Sequence, residues 1–185
     1  MGGESGHPRR IVVTGSESTG KTTLARQLAE ATGAPWVPEY ARGYAARKGS
    51  DLLESDIEPI ARGQLALETR ALLAGGPLII FDTDLLSTAV YAEHYYGWCP
   101  EWVRQASRQR SGLYLLLDID VPFVADPTRG PALRRRELHQ RFLRSLEDAG
   151  LHYVTVSGGW EERLAKAREL LASETGGSSG RPAGR

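Results

Sequence analysis

Between an apolar run, Ile11 to Val13, and a helical pattern beginning at residue 21 lies Gly15-Ser-Glu-Ser-Thr-Gly20-Lys21-Thr22. Nothing else in the chain narrows its fold so far. The glycines permit backbone turns that a Cβ would obstruct. Such a loop points successive N–H groups at one anion, and the helix behind it adds the positive end of its dipole. The pattern G-x-x-x-x-G-K-[ST] therefore reads as a cradle for the phosphates of a nucleoside triphosphate. Gly15, Ser16, Glu17, Ser18, Thr19, Gly20, Lys21, Thr22 and Thr23 are expected to bind the nucleotide. Lys21 is also a catalytic candidate, reaching the β- and γ-phosphates, and the Thr22 hydroxyl is expected to ligate Mg²⁺. Lysine is otherwise confined to Lys48 and Lys166 in a chain that uses arginine for positive charge. A compact ammonium stands where one is needed.

Five apolar runs predict strands at 11–14, 36–38, 78–81, 113–118 and 153–156. Helical patterns fill 21–33, 40–48, 56–75, 84–96, 100–110, 132–149 and 160–173. Several runs are apolar throughout rather than alternating, as strands covered on both faces are. Strands alternating with helices give βαβ units. The expected fold class is α/β, a three-layer P-loop NTPase fold. Its parallel five-stranded sheet has helices on both faces and carries an Arg-bearing lid. One domain is expected over residues 10–173. The polar, Gly-rich segments 1–9 and 174–185 have too little apolar surface to fold and are expected to be disordered.

In such sheets ligands bind at the carboxyl ends of the strands. Leu78-Ile-Ile-Phe81-Asp82-Thr83-Asp84 ends a strand in two carboxylates. Asp82 is expected to join Thr22 at Mg²⁺ and is a catalytic candidate. Asp84 either caps the following helix or contacts substrate. After the second strand, Glu39-Tyr40-Ala41-Arg42 faces the acceptor side of the γ-phosphate. Glu39 could take the proton of an acceptor hydroxyl. Tyr40 and Arg42 are further substrate-binding candidates, Arg42 through a phosphate. Arg129 and the run Arg134 to Arg136 follow the fourth strand and could close over a triphosphate. Arg129, as a catalytic and nucleotide-binding group, and Arg134 are assigned to that lid. The aromatic stretch from Tyr91 to Trp102 either packs two helices together or offers a ring to a planar ligand.

The absences also inform. There is no guanine-reading N-K-x-D and no protein-kinase H-R-D. Lys plus Arg equals Asp plus Glu at 23 each, so no nucleic-acid or membrane partner is expected. The single cysteine, Cys99, rules out an intrachain disulfide. No run approaches the ~20 apolar residues of a membrane span, and the first residues lack a signal peptide's apolar core. A cytoplasmic protein is expected, and homo-oligomerisation is left open.

Taken together, G-S-E-S-T-G-K-T at 15–22, E-Y-A-R at 39–42, F-D-T-D at 81–84 and D-P-T-R at 126–129 resemble one group. It is the nicotinamide riboside kinase domain of bacterial NadR-type proteins, within the wider P-loop kinases. The resemblance spans residues 10 to 172. It implies a sheet ordered 2-3-1-4-5, ATP and Mg²⁺ as cosubstrates, and a small nucleoside as the other partner. It further implies phosphorylation of the ribosyl 5′-hydroxyl of nicotinamide riboside, giving nicotinamide mononucleotide for NAD synthesis. The chain departs from the family in the lid, where Phe123 and Pro127 stand in place of Trp and Gly, and beside the acceptor motif. The family often has Trp directly before E-Y, where this chain has Pro38, and Trp36 lies two residues earlier. Two other readings remain at this stage: a kinase for another nucleoside, and a non-catalytic nucleotide-binding regulator.

Overall fold

The structure, a computed structural model, describes residues 8–121 and 132–176, the side chains of 132–134 and 174–176 excepted. In chain order its elements are β1 (Arg9–Thr14), α1 (Lys21–Thr32), β2 (Trp36–Val37), α2 (Tyr40–Lys48), α3 (Ile57–Ala74), β3 (Leu78–Asp82) and α4 (Leu85–Tyr96). There follow α5 (Glu101–Arg108), β4 (Leu113–Leu117), α6 (Ala132–Asp148), β5 (Tyr153–Val156) and α7 (Trp160–Gly176). A 3-10 turn, Glu54–Asp56, precedes α3. The strands pair in parallel in the order β2-β3-β1-β4-β5, as expected.

The uniformly apolar strands follow from a sheet covered on both faces. Ile11 and Val13 pack with Leu24 and Leu28 of α1 and with Ala167 and Leu171 of α7. Val12 points the other way, into a cluster with Phe81, Val90 of α4 and Leu138 and Phe142 of α6. Each such side chain contributes about 1.5–3 kcal/mol on burial. A third cluster, including Ile57, Leu85, Cys99 and Val103, fastens α3 and α5 to α4. These layers place β1 centrally and open its carboxyl end, where the chain turns into the phosphate loop.

The element ends differ from expectation for local reasons. Arg9 and Arg10 extend β1, pairing with Leu78 and Ile79, so order begins before residue 10. Strand β2 stops at Val37, because Pro38 has no N–H to donate. Strand β3 continues to Asp82, opposite Val13. Helix α7 runs past residue 173 to Gly176. No helix among the described residues is long and apolar enough to cross a membrane.

Arg10 is accommodated by a buried polar cluster. Its guanidinium lies 3.3 Å from Glu68 and 3.7 Å from Asp84. Arg110 also approaches Glu68, at 3.4 Å. The Leu85 N–H donates to Glu68 at 2.9 Å. Burial, and then the Asp84 charge, push the Glu68 carboxyl from 4.5 up to about 7, against the pull of Arg110, Arg10 and that N–H. Between those two values the folded protein binds a proton that the unfolded chain has released. Stability therefore falls as pH rises through that window. Glu68→Gln is expected to remove this part of the pH dependence. Urea midpoints at pH 5 and pH 8 check it: a variant whose midpoint changes between the two as much as wild type would contradict it.

Candidate active site

The phosphate loop leaves β1 at Gly15, whose φ of +130° is one that L side chains rarely adopt, and a Cβ there would lie 2.9 Å from the Leu117 carbonyl oxygen. Gly20, at φ +86°, carries the ring of Trp160 so close that a Cβ would lie 2.1 Å from it. Gly20 is also the N-cap of α1 and has no side chain with which to cap it. The first N–H groups of α1 are left for an anion. Ser16 accepts at its carbonyl from Lys21 Nζ at 2.7 Å and from the Thr19 hydroxyl at 2.9 Å. Ser16, Glu17, Thr19 and Lys21 are buried, while Thr23 is exposed on the first turn of α1. Ser18 (φ 55°) and Thr83 (φ 65°) are the non-glycine residues at positive φ among those described. Each costs about 1–2 kcal/mol, and both sit at this site.

Two arginines brace the loop from elsewhere in the chain. Arg163 of α7 donates to the carbonyls of Thr19 (2.7 Å), Gly158 (2.8 Å) and Asp118 (3.0 Å), and pairs with Asp120. Arg135 of α6 donates to the carbonyls of Val121 (3.0 Å) and Ser18 (3.3 Å). Arg163 is 1% exposed, so its removal strands buried carbonyls. Arg163→Ala is expected to lower the unfolding free energy by about 3 kcal/mol. Urea denaturation measures this, and a loss under about 1 kcal/mol would show that the brace is dispensable.

Asp82 ends β3 beside the loop and is 1% exposed. Burial raises its carboxyl above the ordinary range and the Glu39 charge adds to that, while a hydrogen bond from Thr22 and the charges of Lys21 and Arg42 oppose it. The expected metal pair, Thr22 and Asp82, is thus in direct contact. Asp82 Oδ1 is buried and has no hydrogen-bond partner among the described residues. A hydroxyl and an unsatisfied carboxylate oxygen form a donor set that fits Mg²⁺.

Past the end of β3, at Thr83, opens a cavity of about 710 Å³, within the range of small-molecule sites. Helices α2, α3 and α4 and the segment 49–53 enclose it. Glu39, Arg42, Gln64, Thr83, Tyr91 and Tyr96 are among its lining. Glu39 and Arg42 lie 3.5 Å apart. Gln64 accepts the Tyr40 N–H at 3.0 Å, which fixes the start of α2 and with it Glu39. The Tyr91 hydroxyl donates to the Gly15 carbonyl at 3.3 Å and receives Lys21 Nζ at 3.4 Å. The cavity and the phosphate loop are therefore one continuous site.

Three expected residues stand differently from the sequence reading. Tyr40 does not line the cavity: its ring lies against Gly63 of α3, under Arg47, and packs α2 onto α3. Asp84 is fully buried and turned away. It caps α4 by accepting the Leu86 N–H at 3.1 Å and receives the Tyr114 hydroxyl at 2.6 Å. Its helix-capping alternative describes it, not substrate contact. Glu17 belongs to the phosphate loop by its backbone, but its carboxylate lines the cavity and accepts the Tyr95 hydroxyl. Arg129 and the side chain of Arg134 lie outside the described residues. Trp36 packs under Arg26 on the α1 face, not in the cavity. Trp160, Arg163, Thr83 and Gln64 join the site without having stood out in the sequence. Neither Trp160 nor Arg163 has a local signature, since both act on a loop far away in the chain.

Residues 10–163 match the AAA domain family. The chain belongs to that family. Among its relatives is the trifunctional NAD biosynthesis/regulator protein NadR of Escherichia coli K12, 28% identical over 91% of this chain. The Salmonella typhimurium NadR is 27% identical over the same share. This AAA domain spans 43% of the length of each. A crystal structure of NadR in complex with NR superposes with a TM-score of 0.75 at 28% identity, covering 96% of this chain and 53% of that one. NadR with NAD and AMP-PNP gives 0.76 at 27%, covering 96% and 52%. A thymidylate kinase from Candida albicans shares the fold, with a TM-score of 0.67 at 16% identity, covering 91% and 93%.

Proposed function

We propose that this chain is an ATP-dependent kinase that phosphorylates the ribosyl 5′-hydroxyl of nicotinamide riboside, giving nicotinamide mononucleotide and ADP. The observation that carries the reading is the cavity joined to the phosphate loop through Glu17 and Tyr91, with Glu39 in its lining. A triphosphate seated on residues 15–22 would present its γ-phosphate toward that cavity. Two solved structures support the ligands: NadR has been crystallised with NR and with NAD and AMP-PNP. The lining suits a cationic aromatic acceptor, since Tyr91 and Tyr96 accompany Glu39 and Asp51 there.

In the reaction the acceptor oxygen bonds to the γ-phosphorus, the bond to the β-phosphate oxygen breaks, and ADP leaves. Glu39 is assigned as the group that takes the hydroxyl proton, with Asp82 as the alternative. Lys21 holds the β- and γ-phosphates. Thr22 and Asp82 would hold Mg²⁺, which when bound neutralises charge on those phosphates. Arg129 and Arg134 are proposed to belong to the lid that covers them.

ADP release from ATP and Mg²⁺, with nicotinamide riboside, adenosine, uridine or thymidine in turn, tests the acceptor. Stimulation by nicotinamide riboside above the others is expected. Stimulation by another nucleoside alone would reassign the acceptor. Nucleotide binding without stimulation by any of them would favour a regulator over an enzyme.

A further inference from the structure

We propose that Glu17 is an acceptor-specificity residue, whose carboxylate, held by Tyr95, admits a neutral or cationic nucleoside and rejects one that already bears a phosphate. The inference rests on the kinase reading above and assigns a determinant within that site.

A carboxylate in a loop that gathers N–H groups around a triphosphate works against nucleotide affinity, because like charges repel. The fold turns it elsewhere. Glu17 is 4% exposed, lines the cavity, and accepts the Tyr95 hydroxyl. Tyr95 is itself held in place: its ring lies parallel to that of Tyr91, with centroids 6.2 Å apart and planes 3° apart. Tyr91 is fixed in turn on the Gly15 carbonyl and on Lys21. Glu17 is thus a built feature of the wall between the phosphate loop and the acceptor.

The charge of the cavity agrees. Glu17, Glu39 and Asp51 line it against Arg42, which Glu39 already engages at 3.5 Å. An acceptor phosphate, worth nearly two negative charges at neutral pH, would enter beside these carboxylates with no uncommitted arginine among the described lining residues to receive it. A riboside offers hydroxyls that Glu17 can accept from, and a pyridinium ring adds positive charge. With a triphosphate already on the loop, the mononucleotide has to place its phosphate beside these carboxylates, so it is expected to compete weakly with the riboside in the wild type.

The test compares wild type, Glu17→Gln and Tyr95→Phe. It measures KM for nicotinamide riboside, KM for ATP, and inhibition by nicotinamide mononucleotide against riboside at saturating ATP, with calorimetric titration of riboside and mononucleotide into protein holding AMP-PNP alongside. Glu17→Gln keeps the shape and removes the charge. It is expected to raise the riboside KM about tenfold and to tighten the mononucleotide by a similar factor, without raising the ATP KM. Tyr95→Phe, which loosens the carboxylate without removing it, should shift the same ratio less. An ATP KM no higher than that of wild type also shows that the loop is folded. A riboside-to-mononucleotide ratio within about threefold of wild type, or a change confined to ATP, would overturn the proposal. Failure of the kinase reading looks different, because wild type itself would then neither bind nor phosphorylate the riboside. If it phosphorylates another nucleoside instead, the same ratio with that nucleoside and its 5′-monophosphate decides the role of Glu17.

Discussion

Lys21→Ala is expected to lower turnover about a thousandfold while leaving the protein folded. The Lys21 ammonium is buried at the mouth of the phosphate loop, between the Ser16 carbonyl at 2.7 Å and the Tyr91 hydroxyl at 3.4 Å. It stands where the loop and the cavity join. Phosphoryl transfer depends chiefly on positioning and charge neutralisation, so losing this charge removes stabilisation that matters most in the transition state. The fold itself depends little on this side chain. The melting temperature should shift by about 3 °C or less, since a change of about 1 kcal/mol moves a chain of this size by that much. Lys21→Arg should also be slow, because a planar guanidinium does not replace a compact ammonium. A Lys21→Ala protein within tenfold of wild type would remove the loop from the mechanism.

Asp82→Asn should separate activity from stability. Asn keeps the size of the side chain but not its charge. Turnover is expected to fall about a hundredfold or more, with a higher Mg²⁺ requirement, because Asp82 Oδ1, without a hydrogen-bond partner among the described residues, is the oxygen proposed to meet the cation. Stability should move the other way. Burial and Glu39 hold the Asp82 carboxyl above its ordinary range, so the charged form is a cost to the fold. The folded protein binds this proton more tightly than the unfolded chain. Wild type therefore loses stability as pH rises through the raised value, and Asn removes that loss. Urea unfolding at pH 8 should find the variant at least as stable as wild type, and the advantage should shrink in acid. A variant both inactive and unfolded at pH 8 would contradict the assignment. Such a site is one where function is held at the expense of stability.

Local chemistry is legible in this sequence and long-range orientation is not. The phosphate loop can be read because its requirements are local: glycine at strained φ, a lysine, a hydroxyl, then a helix. Asp82 can be read because a strand end beside β1 has few places to point. The sheet order follows from the family resemblance, and the layered core from strands apolar on successive residues. Tyr40 and Asp84 resist reading because each has two faces to choose from, and tertiary packing makes the choice. For Tyr40 it is the open space above Gly63. For Asp84 it is the start of α4 together with the Tyr114 hydroxyl. Glu17 reads as a nucleotide ligand because its backbone belongs to the loop, whereas its carboxylate answers to Tyr95. Arg163 lies 144 residues from Thr19, the carbonyl it braces, and nothing near it in sequence marks that role.

Transfer of a phosphoryl group from ATP to a nucleoside at the junction of loop and cavity is the central claim. The most direct measurement follows ADP and nicotinamide mononucleotide together, the latter by mass, in one mixture of protein, ATP, Mg²⁺ and nicotinamide riboside. Equal amounts of the two products are expected from wild type, and neither above background from Lys21→Ala. ADP without the mononucleotide, or no ADP from wild type at all, would contradict the claim.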